Sequence, residues 1–243
     1  VFTGSVGIND LGDICVAANT VPNIIFEIVA GGALAGLVVP LLAGAIERAD
    51  RAAVGATTSA LLTWVLTGLV PLAVLVAVAA NPIMALFAPD GATPEQVAVG
   101  ARMLRVFAPQ LPLYGMGLVL SGVLQAHRRF TWPVLAPLLS SVTVINVYFA
   151  YAVAQGRDTP VARVSRAGEL LLSGGTTLGV LVLSGCLLIP LRGLGLRLRP
   201  TYRLAWDLRR SARALAMAGV VTVAAQQLAL LVALRLALAG PNG

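Results

Sequence analysis

The stretch DICVAANTVPNIIFEIVAGGALAGLVVP, residues 13–40, decides how this chain folds. It is apolar enough to cross a bilayer, yet it carries Asp13, Asn19, Asn23 and Glu27. Ionisable groups at membrane depth are expensive and usually face a partner or a polar cavity. Asn19, Asn23 and Glu27 are spaced i, i+4, i+8, and each four-residue step drifts only about 40° around an α-helix. They therefore share one stripe, which Gly31 and Ala35 continue with small residues. Such a stripe could line an aqueous cavity, or it could make interhelical hydrogen bonds with Glu27 neutral or paired. Asp13, near the outer end, is either a cavity group or a helix N-cap.

The rest of the chain is as apolar as this stretch. Charged residues make up 11% and hydrophobic residues 58%, against about 25% charged in soluble domains. Charge-free runs cover 28–46, 52–89, 106–126, 130–156, 170–191 and 214–234. A spanning helix needs roughly 20 mainly apolar residues, so each run can supply one. We expect an all-α polytopic transmembrane bundle with helices near 13–46, 54–80, 95–126, 130–155, 167–191 and 211–238. Residues 1–10 read as the end of a preceding helix and a short loop. The 52–89 run is read as one helix followed by a loop around Asn81-Pro82. Lacking an initial Met and stopping just after a helix, the chain is expected to be a piece of a longer protein.

All 17 basic side chains are Arg, and their placement gives a topology. The links at 47–51, 127–129 and 192–213 hold eleven Arg, and the opposite side holds five with Arg102 and Arg105 included. The positive-inside rule puts the three rich links in the cytoplasm. The net charge of +7 therefore reflects topology, and nucleic acid is not an expected partner. The last link mixes Leu, Trp, Tyr and Arg. It is either an amphipathic segment on the anionic inner leaflet or a plain topological determinant.

No catalytic constellation is present. The single His, His127, lies at a loop edge, and Cys15 and Cys186 lie in apolar segments, where Cys behaves as a small hydrophobe. Gly174-Gly175 sits in an apolar helix and suits close helix packing. Pro22, Pro40, Pro71, Pro109, Pro112, Pro133 and Pro137 fall within the expected spans. In lipid such breaks persist only where protein or a water-filled cavity satisfies the freed backbone groups, which favours a transporter or channel. Arg102 and Arg105 could meet an anionic substrate group, pair with an acid such as Glu27 or Asp13, or snorkel to the interface. Gln125 and the pair Gln226-Gln227 rank lower as site residues. Glu169 is assigned to the outer interface.

Two blocks carry a family resemblance over almost the whole chain. The first is Asp13, Ala17-Ala18, Pro22-Asn23, Gly31-Gly32-Ala33 and Pro40. The second is Leu104-Arg105, Pro109, Leu120 to Gln125-Ala126, Arg129-Phe130, Pro133 and Ala136-Pro137. Together they resemble the MurJ/MviN lipid II flippases of the multidrug/oligosaccharidyl-lipid/polysaccharide (MOP, MATE-like) exporter superfamily. The resemblance implies most of an amino-terminal lobe, from the end of helix 1 through helix 7 of an expected 14. It implies a multi-pass protein of the bacterial cytoplasmic membrane that moves lipid II to the outer leaflet by alternating access during cell wall biogenesis. Coupling would be to membrane potential or ions, with no cofactor or metal. Partners would be lipid II, membrane lipids, the carboxy-terminal lobe and cell-wall synthesis proteins. Asp13 matches the family's acidic position and Arg105 its basic one. Phe26 and Glu27 stand where many members carry two arginines, and Gly31 replaces a family acid, a variant similar to the actinobacterial branch. Another exporter of this superfamily, for drugs or lipid-linked oligosaccharides, and an inactive membrane fragment are the alternative readings.

Overall fold

A computed structural model describes residues 10–27, 38–87, 92–155, 166–196 and 198–203, with Met217 and Val221. Nine α-helices are described: α1 (Asp10–Phe26), α2 (Val38–Glu47), α3 (Arg51–Val78), α4 (Ala80–Phe87), α5 (Pro94–Phe107), α6 (Gln110–Ala126), α7 (Thr131–Gln155), α8 (Arg166–Gly185) and α9 (Leu188–Arg192). Among the described residues, four stretches are long and apolar enough to cross a membrane: Arg51–Val78, Pro94–Ala126, Thr131–Val153 and Arg166–Arg192. The expected stretch before residue 10 and nearly all of the helix expected at 211–238 lie outside the described residues. Of the helix expected over 13–46, residues 28–37 also lie outside them.

Local chemistry sets the ends. Asp50 caps α3, where the Ala53 N–H donates to Asp50 Oδ1 at 2.9 Å, so the helix starts three residues earlier than expected. Thr93 and Gln96 form a reciprocal capping box at the start of α5, with Pro94 in its first turn, where its missing N–H costs nothing. The loop expected at Asn81-Pro82 is instead the first turn of α4, separated from α3 by Ala79 alone. The span expected over 95–126 is broken at Ala108-Pro109, and the one over 167–191 at Cys186-Leu187.

The break at Pro109 is repaired from a neighbouring helix. The Val106 carbonyl accepts from Thr177 Oγ1 of α8 at 2.9 Å, and Gln110 Nε2 donates to the same hydroxyl at 3.1 Å. Ser184 Oγ likewise donates to the Leu113 carbonyl at 2.6 Å. Protein groups satisfy this backbone, as membrane depth demands.

Two buried apolar clusters fill the bundle. One joins α1, α4, α5 and α6 around Ile14, Met84, Phe107 and Leu111, reaching Tyr151 of α7 and Leu172 of α8. The other joins α2, α3, α6 and α9 around Leu42, Val65, Leu120 and Leu191. Phe26 and Leu72 pack against both. Gly175 lets α8 approach α7 so closely that a Cβ there would strike Val147, whereas Gly174 has open space. Val74, Val78, Val134, Leu138, Val142, Phe149 and Val153 stand exposed on α3 and α7. That is the surface expected of helices facing hydrocarbon.

Candidate functional site

The buried face of α1 is Ile14, Cys15, Ala18 and Val21, at helical spacing. It packs chiefly on α5, with lesser contacts to α6 and α4. The opposite face is open, and it carries Val16, Thr20, Asn23, Ile24 and Glu27. The expected stripe is thus partly right. Asn23 and Glu27 lie on the open face, and Asn19 lies half-buried at its edge. Asn23 Nδ2 donates to the Asn19 carbonyl at 3.0 Å, and the hydroxyl of Thr20 to that of Val16 at 2.8 Å. Asn19 Oδ1 is buried and makes no hydrogen bond. Asp13 lies in α1, but its side chain, like Gly31 and Ala35, lies outside the described residues.

Phe26 turns away from this polar face. Its ring meets Tyr114 of α6, with centroids 5.4 Å apart. The Phe26-Glu27 pair therefore divides its work, one member joining the packing and the other facing out.

Arg102 and Arg105 do not act together. Arg102 donates through Nε and Nη2 to both oxygens of Glu169 on α8, at 2.9 and 2.7 Å. Glu169 is 7% exposed, so this bidentate bond satisfies a carboxylate taken out of water. Glu169, rather than Glu27 or Asp13, is the acid that pairs with Arg102. Arg105, exposed, donates to Asn81 Oδ1 of α4 at 3.3 Å. Gln125 is exposed in the last turn of α6. That is roughly 30 Å along the chain axis from Arg105 at 1.5 Å per residue, so these two do not share one site.

A second polar constellation was not anticipated. Residues 198–203 run extended along α3. Arg199 N–H donates to Ser59 Oγ and Thr201 N–H to Thr63 Oγ1, each at 3.1 Å, and the Tyr202 hydroxyl meets Thr67 Oγ1 at 3.0 Å. Two extended residues span about 6.6 Å and four helical residues 6 Å, so Ser59 and Thr63 keep step with Arg199 and Thr201 of this strap, while Thr67 meets the side chain of the next residue, Tyr202. Ser59 and Thr63 each donate their own proton four residues back along α3, which leaves their oxygens free to accept. A spacing of four among Ser59, Thr63 and Thr67 was the available signal.

The three Arg-rich links also converge. Asp50 and Arg51, His127 and Arg129, and Arg192 to Leu196 line one cavity of about 400 Å³. These parts of the three links, residues 192–196 in the last, therefore occupy one end of the bundle.

A helical bundle with broken spans, an open polar face on α1 and its basic links gathered at one end defines a multi-pass membrane protein. The family model for "Lipid II flippase MurJ" matches residues 4–242, and the chain belongs to that family. It is also similar to a "Probable lipid II flippase MurJ" of Synechocystis sp., with 34% identity over 137 residues. That match covers 56% of this chain and 25% of the relative.

Proposed function

We propose that this chain forms most of one lobe of a flippase that carries lipid II across the bacterial cytoplasmic membrane. The observation that supports this best is the open face of α1, which presents Asn23, and Glu27 just past its last residue, while the opposite face packs into the core. In this reading that face borders a central cavity completed by a second lobe. The lipid-linked sugar headgroup passes along it while the polyprenyl tail stays in lipid. Transport needs the two lobes to alternate around the site, so the described lobe supplies one wall and no chemical step. Membrane potential or an ion gradient would drive the cycle. The links at 47–51 and 127–129 and the start of the link at 192–213 face the cytoplasm. Their shared cavity and arginine content support that side.

Complementation tests the proposal. In a bacterium depleted of its own lipid II flippase, the full-length protein should restore growth and outer-leaflet lipid II. Glu27→Ala and Asp13→Ala, at normal membrane levels, should reduce rescue at least tenfold. A well-expressed wild-type protein that restores neither would refute lipid II as its substrate.

A further inference from the structure

We infer that the chain carries a resident-lipid site for an anionic glycerophospholipid, formed by the basic end of the bundle and the strap along α3. The site is separate from the open face of α1 and does not rest on transport of lipid II.

Three cavities lie in series along a groove between α3 and the strap, with the bond from Arg199 N–H to Ser59 Oγ lying between the second and the third. The first, about 400 Å³, is lined by Arg51, His127, Arg129 and Arg192. The second, about 470 Å³, shares Arg51 and Gly195 with it and adds Arg199. The third, about 290 Å³, shares Arg199 and Ser59 with the second and is walled by Leu62, Leu66, Leu198 and Pro200. The groove is basic at its mouth and apolar at its far end. Leu62 and Leu66 lie 11 and 15 residues beyond Arg51 on α3, roughly 16 and 22 Å deeper along that helix.

The cations at the mouth are not consumed by the protein. Among the described residues the one ion pair within 4 Å is Arg102–Glu169, at the other end of the bundle. Asp50 lines the mouth, but its Oδ1 accepts from the Ala53 N–H as the cap of α3. Arg129 reaches only the Pro190 carbonyl, at a long 3.5 Å.

Guanidinium groups present planar, multiple donors that match a phosphate. Set at a bilayer surface, they attract anionic headgroups. A free phosphate would use the mouth alone. A phospholipid also sets acyl chain against the apolar third cavity, and the alignment of a basic and an apolar cavity along α3 favours it.

The test uses the full-length protein in neutral detergent, with native mass spectrometry and thermal melting as readouts. The probes are phosphatidylglycerol, phosphatidylcholine and inorganic phosphate. Phosphatidylglycerol should be retained at least fivefold more than phosphatidylcholine and should raise the melting temperature, and phosphate at equal concentration should do neither. Arg51→Gln with Arg192→Gln should abolish the preference between the two lipids. Leu62→Trp, which blocks the apolar end, should reduce retention of phosphatidylglycerol at least threefold. Equal retention of the two lipids by the wild-type protein would overturn the proposal, even if a variant failed to fold. So would a melting shift from phosphate as large as that from phosphatidylglycerol, because the groove would then hold a free anion.

Discussion

At the scale of single residues, Glu169 and Glu27 are opposite cases. Glu169 is buried and held on both oxygens by Arg102, so removing the arginine strands a desolvated carboxylate. A fully buried pair loses roughly 3–5 kcal/mol when one partner goes. The Arg102 side chain is 43% exposed, which places Arg102→Ala lower, at about 1–3 kcal/mol. Reversible unfolding of the full-length protein in mixed micelles measures this. A double-mutant cycle with Glu169→Ala should give a coupling of about 1 kcal/mol or more, and a coupling near zero would show that the pair holds nothing. Glu27 is exposed with no bonded partner among the described residues, so Glu27→Ala should move stability by less than about 0.5 kcal/mol. Its expected loss of rescue is then a loss of transport, and an equal loss of folded protein would contradict that.

At the scale of elements, breaks in helices are tolerated where a neighbour completes the backbone. Thr177→Val should leave the Val106 carbonyl and Gln110 Nε2 without their partner and cost about 1–3 kcal/mol. The adjacent glycines of α8 separate two effects. Gly175→Leu drives a side chain into Val147, with an expected loss of about 1–3 kcal/mol from overpacking. Gly174→Ala meets open space and should stabilise by up to about 1 kcal/mol through helix propensity. Similar melts for the two would mean that α7 and α8 are not in close contact.

These elements also mark what could be read from sequence. Helix ends next to charges, such as Arg51 and Arg166, came within a few residues, because charge is excluded from hydrocarbon. The breaks at Ala79, Ala108-Pro109 and Cys186-Leu187 lie inside charge-free runs, which carry no such marker. Pro82 misled because a proline in a first turn starts a helix as readily as it ends one. Of the α1 stripe, the shared face of Asn23 and Glu27 was legible from its spacing, with Asn19 only at its edge. The Arg102–Glu169 pair was not, because its members are 67 residues apart and meet only through the packing of α5 on α8.

At the scale of the whole molecule, the gathering of three Arg-rich links at one end ties their sidedness together. The positive-inside rule assigns each link separately, whereas their shared cavity makes the assignment collective. Single cysteines at Ala49, Phe130 and Gly193, in a full-length protein with Cys15 and Cys186 replaced by Ala, should therefore respond alike to a membrane-impermeant maleimide. They should be protected in intact cells and labelled after the cytoplasmic membrane is opened. A cysteine at Thr93, across α3 from that end, should be labelled in intact cells. Labelling of all three links in intact cells, with Thr93 protected, would invert the orientation and leave the bundle as it is. A split response among the three would go further. No helical span can carry one side of a single 400 Å³ cavity to the opposite face of a bilayer whose apolar core is about 30 Å thick, so the packing of α2, α3, α6 and α9 would itself be wrong.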